Sequence, residues 1–186
     1  MIEKPTDFEL VKRFTGGDEA SFNEIARRYQ QKIYWHARRM IGNHLDADEV
    51  VQEVLIVLYE KLKNFKFQSS LYTWVYRITA TRSINFLNKK KIKRLFSFDD
   101  QTGEIVNEET DILTRLEQKE KMEYLDKVLQ KLPSKQREIF ILRNFDGLSY
   151  EEISEITGKS VGGLKANYFH AFVKVNELMN KNYGKD

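Results

Sequence analysis

Only two prolines interrupt this chain of 186 residues, Pro5 and Pro133. Proline inside a helix removes a backbone donor and clashes with the preceding turn. The stretch between them is free to run in long helices, and its apolar spacing predicts that it does. Asp7 is placed to cap a short first helix with Phe8, Val11 and Phe14 on one face, ended by Gly16-Gly17. Asp18 caps a second, in which Phe22, Ile25, Tyr29, Ile33, Ala37 and Met40 recur at helical spacing up to Gly42-Asn43. A third opens with Asp46 and Glu49, a capping-box-like pair, and buries Val50, Val51, Val54, Leu55, Leu58 and Leu62. After a loop from Phe65 to Ser70, Ser70 caps a fourth helix from Leu71 to about Lys91, with Leu71, Trp74, Val75 and Ile78 in its stripe. No segment alternates convincingly as a strand, so the fold class is all-α.

Charge then divides the chain. From Arg77 to Arg94 stand Arg77, Arg82, Lys89, Lys90, Lys91, Lys93 and Arg94 with no acid among them. From Asp99 to Asp111 stand Asp99, Asp100, Glu104, Glu108, Glu109 and Asp111 with no base among them. The basic block suits a phosphate backbone, and the acidic block suits a solvated linker. Two small helical domains are expected, 1–94 and 116–186, joined by a flexible acidic linker over 95–115. Helical spacing resumes near Ile112 or Leu116 and runs through Tyr124, Leu125, Val128, Leu129 and Leu132 to Pro133. A helix from Ser134 carries Ile139, Phe140 and Leu142, and Asp146-Gly147 makes a turn.

Hydrophobic residues at 41% and charged residues at 32% suit folded helical domains rather than a disordered chain. Cysteine is absent, which removes disulfide scaffolds, zinc ribbons and cysteine nucleophiles and fits a reducing compartment. Met1 to Arg13 carries acids and no long apolar run, unlike a signal peptide, and no run is long enough for a membrane span. A cytoplasmic protein is expected.

The sharpest local pattern follows Gly147. Ser149 can cap a helix with Glu152 reaching back to it, Gly158 permits a turn at positive φ, and Ser160 caps the next helix. Val161, Leu164, Tyr168 and Phe172 are available for packing there. Helix, glycine-containing turn and capped helix are what a helix-turn-helix requires, although an ordinary helical hairpin would use the same parts. If the second helix enters a major groove, Ser160, Lys165, Ala166, Asn167, Phe169 and His170 are its candidate DNA contacts. Lysine can reach phosphate or guanine, asparagine can pair with adenine, and alanine can touch a thymine methyl.

These residues carry a family likeness. Leu132-Pro133, Arg137, Leu142-Arg143 and the string Asp146 to Ile153 resemble region 4 of the extracytoplasmic-function (ECF) sigma factors of the sigma-70 family. The string Asp46 to Glu53 resembles region 2.2, and Thr73-Trp74-Val75-Tyr76-Arg77-Ile78 resembles region 2.3. Three motifs in the family's order span nearly the whole chain. The resemblance implies a protein that binds core RNA polymerase, directs it to promoters and helps open the duplex. Region 2 would recognise and melt the −10 element, and region 4 would read the −35 element. The implied partners are core RNA polymerase and promoter DNA. Many relatives are held by an anti-sigma factor, though no residue here identifies one.

The resemblance also distributes roles. Asp48, Glu49, Gln52 and Glu53 can share a helical face that in the family docks on polymerase; by itself such a face is equally a solvated one. Trp74, Arg77, Thr81 and Asn85 can line one face for a melted −10 strand, which needs a ring for stacking, polar groups for base edges and cations for phosphates. Core packing is the alternative for Trp74. Arg82, Lys89, Lys90 and Lys91 would meet phosphates, or simply cap a solvated helix end. Departures from the pattern put the promoter sequence in doubt. Thr81 stands where asparagine is usual, Phe67-Gln68-Ser69 replaces a Gly-Asp-Ser-like segment, and Asn167 and His170 stand where arginines are common.

No metal site, cofactor or catalytic activity is expected. His36, His44 and His170 have no ligand-like spacing, and no phosphate loop or nucleophile elbow occurs. Gly16-Gly17-Asp18-Glu19 matches part of a nucleotide-cyclase signature in letters, but between two helices it reads as turn and cap. Two other functions fit the helix-turn-helix alone: a DNA-binding regulator that does not replace sigma, and an interaction adaptor.

Overall fold

The computed structural model describes residues 4–96 and 114–183; the acidic block and most of the expected linker lie outside the described residues. Eight α-helices occur, and no strand among the described residues: α1 (Asp7–Thr15), α2 (Glu19–Ile41), α3 (His44–Leu62), α4 (Leu71–Phe96), α5 (Thr114–Gln130), α6 (Ser134–Asn144), α7 (Tyr150–Thr157) and α8 (Val161–Tyr183). The all-α expectation holds, with helical units α1–α4 and α5–α8.

Most predicted ends are where local chemistry places them. Asp18 caps α2 through Ala20 N, and Gly42 ends α2 in the left-handed region at φ 83°. Ser70 Oγ accepts from Thr73 N at 3.0 Å at the start of α4. Two starts differ from expectation. The cap of α1 is Thr6, not Asp7: Thr6 and Glu9 form a complete capping box. That frees the Asp7 carboxylate to hold Arg28 at 3.1 Å and the Tyr29 hydroxyl at 2.5 Å. Helix α3 begins at His44, capped by Asn43, whose side chain accepts from Asp46 N at 3.0 Å. Asparagine is at least as good a cap as aspartate, and it comes first in the chain.

The α1–α4 unit packs Leu10, Val11, Phe14, Ile25, Ile33, Met40, Val54, Leu58 and Leu62 into one apolar cluster. Phe8, expected inward, is instead exposed; Leu10 takes its place. In α4 the burial exceeds the predicted stripe. Besides Leu71 and Val75, the residues Thr73, Tyr76, Thr79, Ala80 and Ser83 are buried. The helix is covered on two sides, by α2 and α3 on one and by α7 on the other. A helix buried on two sides shows little amphipathic contrast in its sequence.

The second unit packs directly on the first. Met40 and Ile41 share a cluster with Val128, Leu129, Leu132, Phe140 and Ile141. Tyr76 and Ala80 of α4 complete the core of α6–α8, against Ile139, Leu142, Leu148, Ile153, Ile156 and Leu164. Polar links cross the same seam. The Gln130 amide donates to Arg39 O at 2.8 Å, and Arg137 donates to Met40 O. Arg137 also donates to Gln130 O at 2.9 Å and Leu132 O at 3.1 Å, so it satisfies carbonyls at the ends of both α2 and α5. Gly42 serves the approach as well as the cap: a Cβ there would lie 2.7 Å from Gln130 Cδ.

Candidate nucleic-acid interface

The turn after α3 and the start of α4 build an aromatic ladder. Phe8 meets Phe67 at 4.8 Å between ring centroids, Phe67 meets Phe65 at 4.8 Å, and Phe65 meets Trp74 at 4.9 Å. These separations are those of favourable ring pairs. Phe67 adopts φ 55°. That conformation costs a bulky residue about 1–3 kcal/mol and persists only when surroundings enforce it; two ring contacts do so here. Beside the ladder lies a cleft of about 450 Å³ lined by Lys61, Asn64, Phe65, Lys66, Gln68, Ser69, Trp74 and Arg77. It offers an aromatic wall, two amides, a hydroxyl and three cations, and no carboxylate. Trp74 is half-buried, so it both packs on the core and faces this cleft.

The other residues expected on this face divide. Thr81 and Asn85 are exposed, but the Thr81 hydroxyl donates back to Arg77 O at 2.7 Å. Lys89 and Lys91 are exposed. Lys90 is held by Asp46, and Arg82 lies 3.8 Å from Glu53. Arg77 is exposed, yet its guanidinium donates to the carbonyl of Glu155 in α7.

On α3, Glu49 and Gln52 are exposed and Asp48 and Glu53 are half-buried. Asp48 lies 3.5 Å from His44, whose other ring nitrogen meets the Tyr34 hydroxyl at 2.8 Å. The four residues form one polar, mostly acidic stripe.

In the second unit, Ser149 and Glu152 form a complete capping box for α7, and Gly158 ends it at φ 69°. Ser154 Oγ braces the turn through Lys159 O at 2.6 Å, and Ser160 Oγ accepts from Gly163 N at 3.3 Å to start α8. Leu164 anchors α8 in the core. Ser160, Lys165, Ala166, Phe169 and His170 are exposed, Phe169 at 62%. Asn167 is half-buried and its amide donates to Gly163 O at 2.8 Å. Phe172, expected to pack, is exposed; Ala171 and Val175 are buried instead. These candidate contacts thus offer one cation, one imidazole and an apolar strip at the start of α8.

Known proteins match this arrangement. The profile of Sigma-70 region 2 matches residues 25–92, and that of Sigma-70, region 4 matches residues 122–175. The ECF RNA polymerase sigma-E factor of Escherichia coli (strain K12) is 31% identical over 178 residues, covering 92% of this chain and 93% of that protein. The chain belongs to the ECF subfamily of the sigma-70 family. The sigma-E factor of Haemophilus influenzae is 30% identical, with 92% of this chain and 94% of that protein covered. In fold, the chain is similar to the sigma factor RpoE of Bartonella quintana in complex with the anti-sigma factor NepR. That match has a TM-score of 0.72 and 21% identity over 87% of this chain and 98% of the other. It is also similar to CnrH in complex with the cytosolic domain of CnrY, at TM-score 0.67 and 20% identity over 93% of this chain and 96% of the other. The region 2 match falls on α2–α4, and the region 4 match falls on α5–α8. The sigma-70 family is not an enzyme class.

Gln68 and Ser69 in the region 2 cleft belong to the segment already singled out as a departure from the family pattern, whereas Lys61, Asn64 and Lys66 were not anticipated. Their signal was present in the interleaving of cations, amides and aromatics from Lys61 to Gln68. Among the described residues no cluster of histidine and carboxylate could hold a metal ion, and no helix is long and apolar enough to cross a membrane.

Proposed function

We propose a division of labour within a chain that, as an ECF sigma factor, directs core RNA polymerase to specific promoters. The cleft beside Trp74 takes a base of the melted −10 strand. The base stacks on Trp74, Asn64 and Gln68 read its edge, and Lys61, Lys66, Arg77, Lys89 and Lys91 meet the flanking phosphates. Stacking is worth about 1–3 kcal/mol per base, comparable to the few kcal/mol that unstacking takes. The observation that carries this reading is the Phe8–Phe67–Phe65–Trp74 ladder, which fixes a ring at the wall of a cationic cleft.

The stripe Asp48, Glu49, Gln52 and Glu53 docks on a basic helical surface of polymerase. Helix α8 reads the −35 duplex, with Lys165 on phosphate or guanine and with Ala166 and Phe169 against thymine methyls. Ser160, Asn167 and His170 complete that edge. Region 2 is assigned to 1–94 and region 4 to 116–186. The chain works in the cytoplasm, where its polymerase is, and contributes no catalysis of its own. The Bartonella quintana factor is bound to an anti-sigma factor, and a partner of that kind is expected here as well. The test is purified protein with core polymerase on a genomic promoter library. Sequence-specific initiation is expected; duplex binding without initiation would favour a helix-turn-helix regulator that does not replace sigma.

A further inference from the structure

Helix α1 stands outside the region 2 match, which begins at residue 25, yet it is held firmly against that unit. Leu10, Val11 and Phe14 bury one face of it. At its start, Arg28 donates to Asp7 at 3.1 Å and to Pro5 O at 2.7 Å, and the Tyr29 hydroxyl donates to Asp7 at 2.5 Å. The ring of Phe8 stays outside this packing and is exposed. Lys12 Nζ lies 4.5 Å from its centroid, so its own helix steadies it through a cation–π contact. What the ring reaches is the loop between α3 and α4.

Phe67 is the residue of that loop in most need of support. Its φ of 55° is free for glycine, but in a phenylalanine it must be enforced by contacts. Phe67 is itself exposed, so the core does not enclose it. Its ring meets Phe65 from within the loop and Phe8 from outside it, each at 4.8 Å between centroids. Phe65 belongs to the loop; Phe8 is the end fixed elsewhere. The same helix also meets the start of the loop, where Lys63 Nζ lies 5.4 Å from the Phe14 centroid. Phe67 stands between Lys66 and Gln68, both of which line the cleft. Its backbone turn therefore sets where those two side chains point. The cleft wall comes from α3, the loop and α4, so Phe8 acts on it at one remove.

We propose that Phe8 is a positioning residue for base selection at the −10 cleft: by holding Phe67 at positive φ it fixes the loop that aims Lys66 and Gln68 at the captured base. This rests on the role of the cleft proposed above. Affinity and selectivity then separate. Stacking on Trp74 and phosphate contacts from Lys61 and Arg77 do not pass through Phe8, and they are largely indifferent to base identity. Edge reading by Gln68 needs a fixed geometry, since hydrogen bonds weaken steeply away from their preferred distance and angle. Loosening the loop costs discrimination first.

The test uses core polymerase loaded with the full chain and a pool of short fluorescent single strands randomised in sequence, with core polymerase alone as the blank. Sequencing the bound fraction gives base preference, and anisotropy gives affinity for the pool. Phe8→Ala should lower the strongest base preference about fivefold, the share of one lost ring pair, and leave pool affinity within about twofold. Phe8→Tyr keeps the ring and should keep the preference. Phe67→Gly gives up the braced ring and should lower preference by a similar factor; adding Phe8→Ala to it should lower it no further. Trypsin supplies a readout free of DNA. In the free chain, Phe8→Ala should speed cleavage after Lys66 about fivefold, because cutting tracks opening of the loop, and Phe8→Tyr should not. The proposal is overturned if Phe8→Ala keeps the parent's preference, if pool affinity falls as far as preference, or if cleavage after Lys66 is unchanged. It is overturned equally if the losses from Phe8→Ala and Phe67→Gly add, which would make Phe8 a direct DNA contact. A parent complex with no base preference at all would instead strike the −10 reading of the cleft, and the trypsin rates would still decide whether Phe8 holds the loop.

Discussion

His36 and Asp146, 110 residues apart in the chain, meet at 2.6 Å with exposures of 0% and 8%. The T-shaped contact of His36 with the Tyr76 ring, 5.6 Å between centroids, places this pair at the junction of α2, α4 and the turn after α6. Buried polar groups are mostly hydrogen-bonded, and His36 Nδ1 and the Asp146 carboxylate are partners here. Asp146→Ala strands the imidazole and should lower unfolding free energy by about 1–3 kcal/mol. Asp146→Asn keeps an acceptor and should lose less. Urea denaturation of both variants checks the order.

Arg137 has a larger structural task. Burial pulls its guanidinium down to about 10, so it stays charged at neutral pH while serving carbonyls of both α2 and α5. Arg137→Ala leaves those acceptors unpaired. With hydrogen bonds to charged groups contributing about 1.5–3 kcal/mol each, a loss of at least about 3 kcal/mol is expected. Arg137→Lys should recover part of it, because an ammonium lacks the planar fork. Thermal and urea unfolding measure both.

Burial raises the Glu138 carboxyl above its ordinary value, with Lys159 at 3.8 Å opposing, and burial likewise raises Asp126. A carboxyl that is raised in the fold favours the protonated folded form. Its contribution is fully present below the unfolded pKa and is lost as pH rises through the folded one. Glu138→Gln removes that titration. The variant should therefore gain stability relative to the parent as pH rises from the ordinary glutamate value of 4.5 toward neutrality. Urea midpoints measured across that range test the sign; a constant difference would contradict it.

At the DNA faces, Trp74→Ala should weaken capture of single-stranded DNA by about 1–3 kcal/mol per stacked base and block promoter opening, leaving duplex binding through α8 intact. Lys165→Ala should weaken −35 binding and reduce the salt slope by about 0.9, the share of one phosphate. Fluorescence anisotropy at several salt concentrations separates the two effects.

Local chemistry made much of the fold legible. Ser149 with Glu152, Gly158 and Asp18 announce helix ends because caps and left-handed turns act within a few residues. Asp7 misled because Thr6, one residue earlier, captures Glu9 more completely. The double burial of α4 was illegible. Thr79 and Ser83 look like surface residues, yet both are buried, and Tyr76 and Ala80 on the neighbouring stripe are buried against α6–α8. Of the site, Trp74, Arg77 and Lys165 stood out through their motifs and spacing. The cleft residues Lys61, Asn64 and Lys66 did not, because their convergence depends on a loop bent at Phe67. The engagement of Arg77 by Glu155 links positions 78 residues apart, and no periodicity reports such a contact.

As proposed, this chain turns core polymerase into a promoter-specific enzyme through two separate DNA-reading regions. The direct measurement is run-off transcription from a genomic promoter library by core polymerase with the purified chain, beside the Trp74→Ala and Lys165→Ala variants. Transcripts are expected from a defined set of promoters sharing two spaced elements. Trp74→Ala should lose them at the opening step and Lys165→Ala at the binding step. Transcription no different from core polymerase alone, with the parent chain bound to duplex DNA, would contradict it.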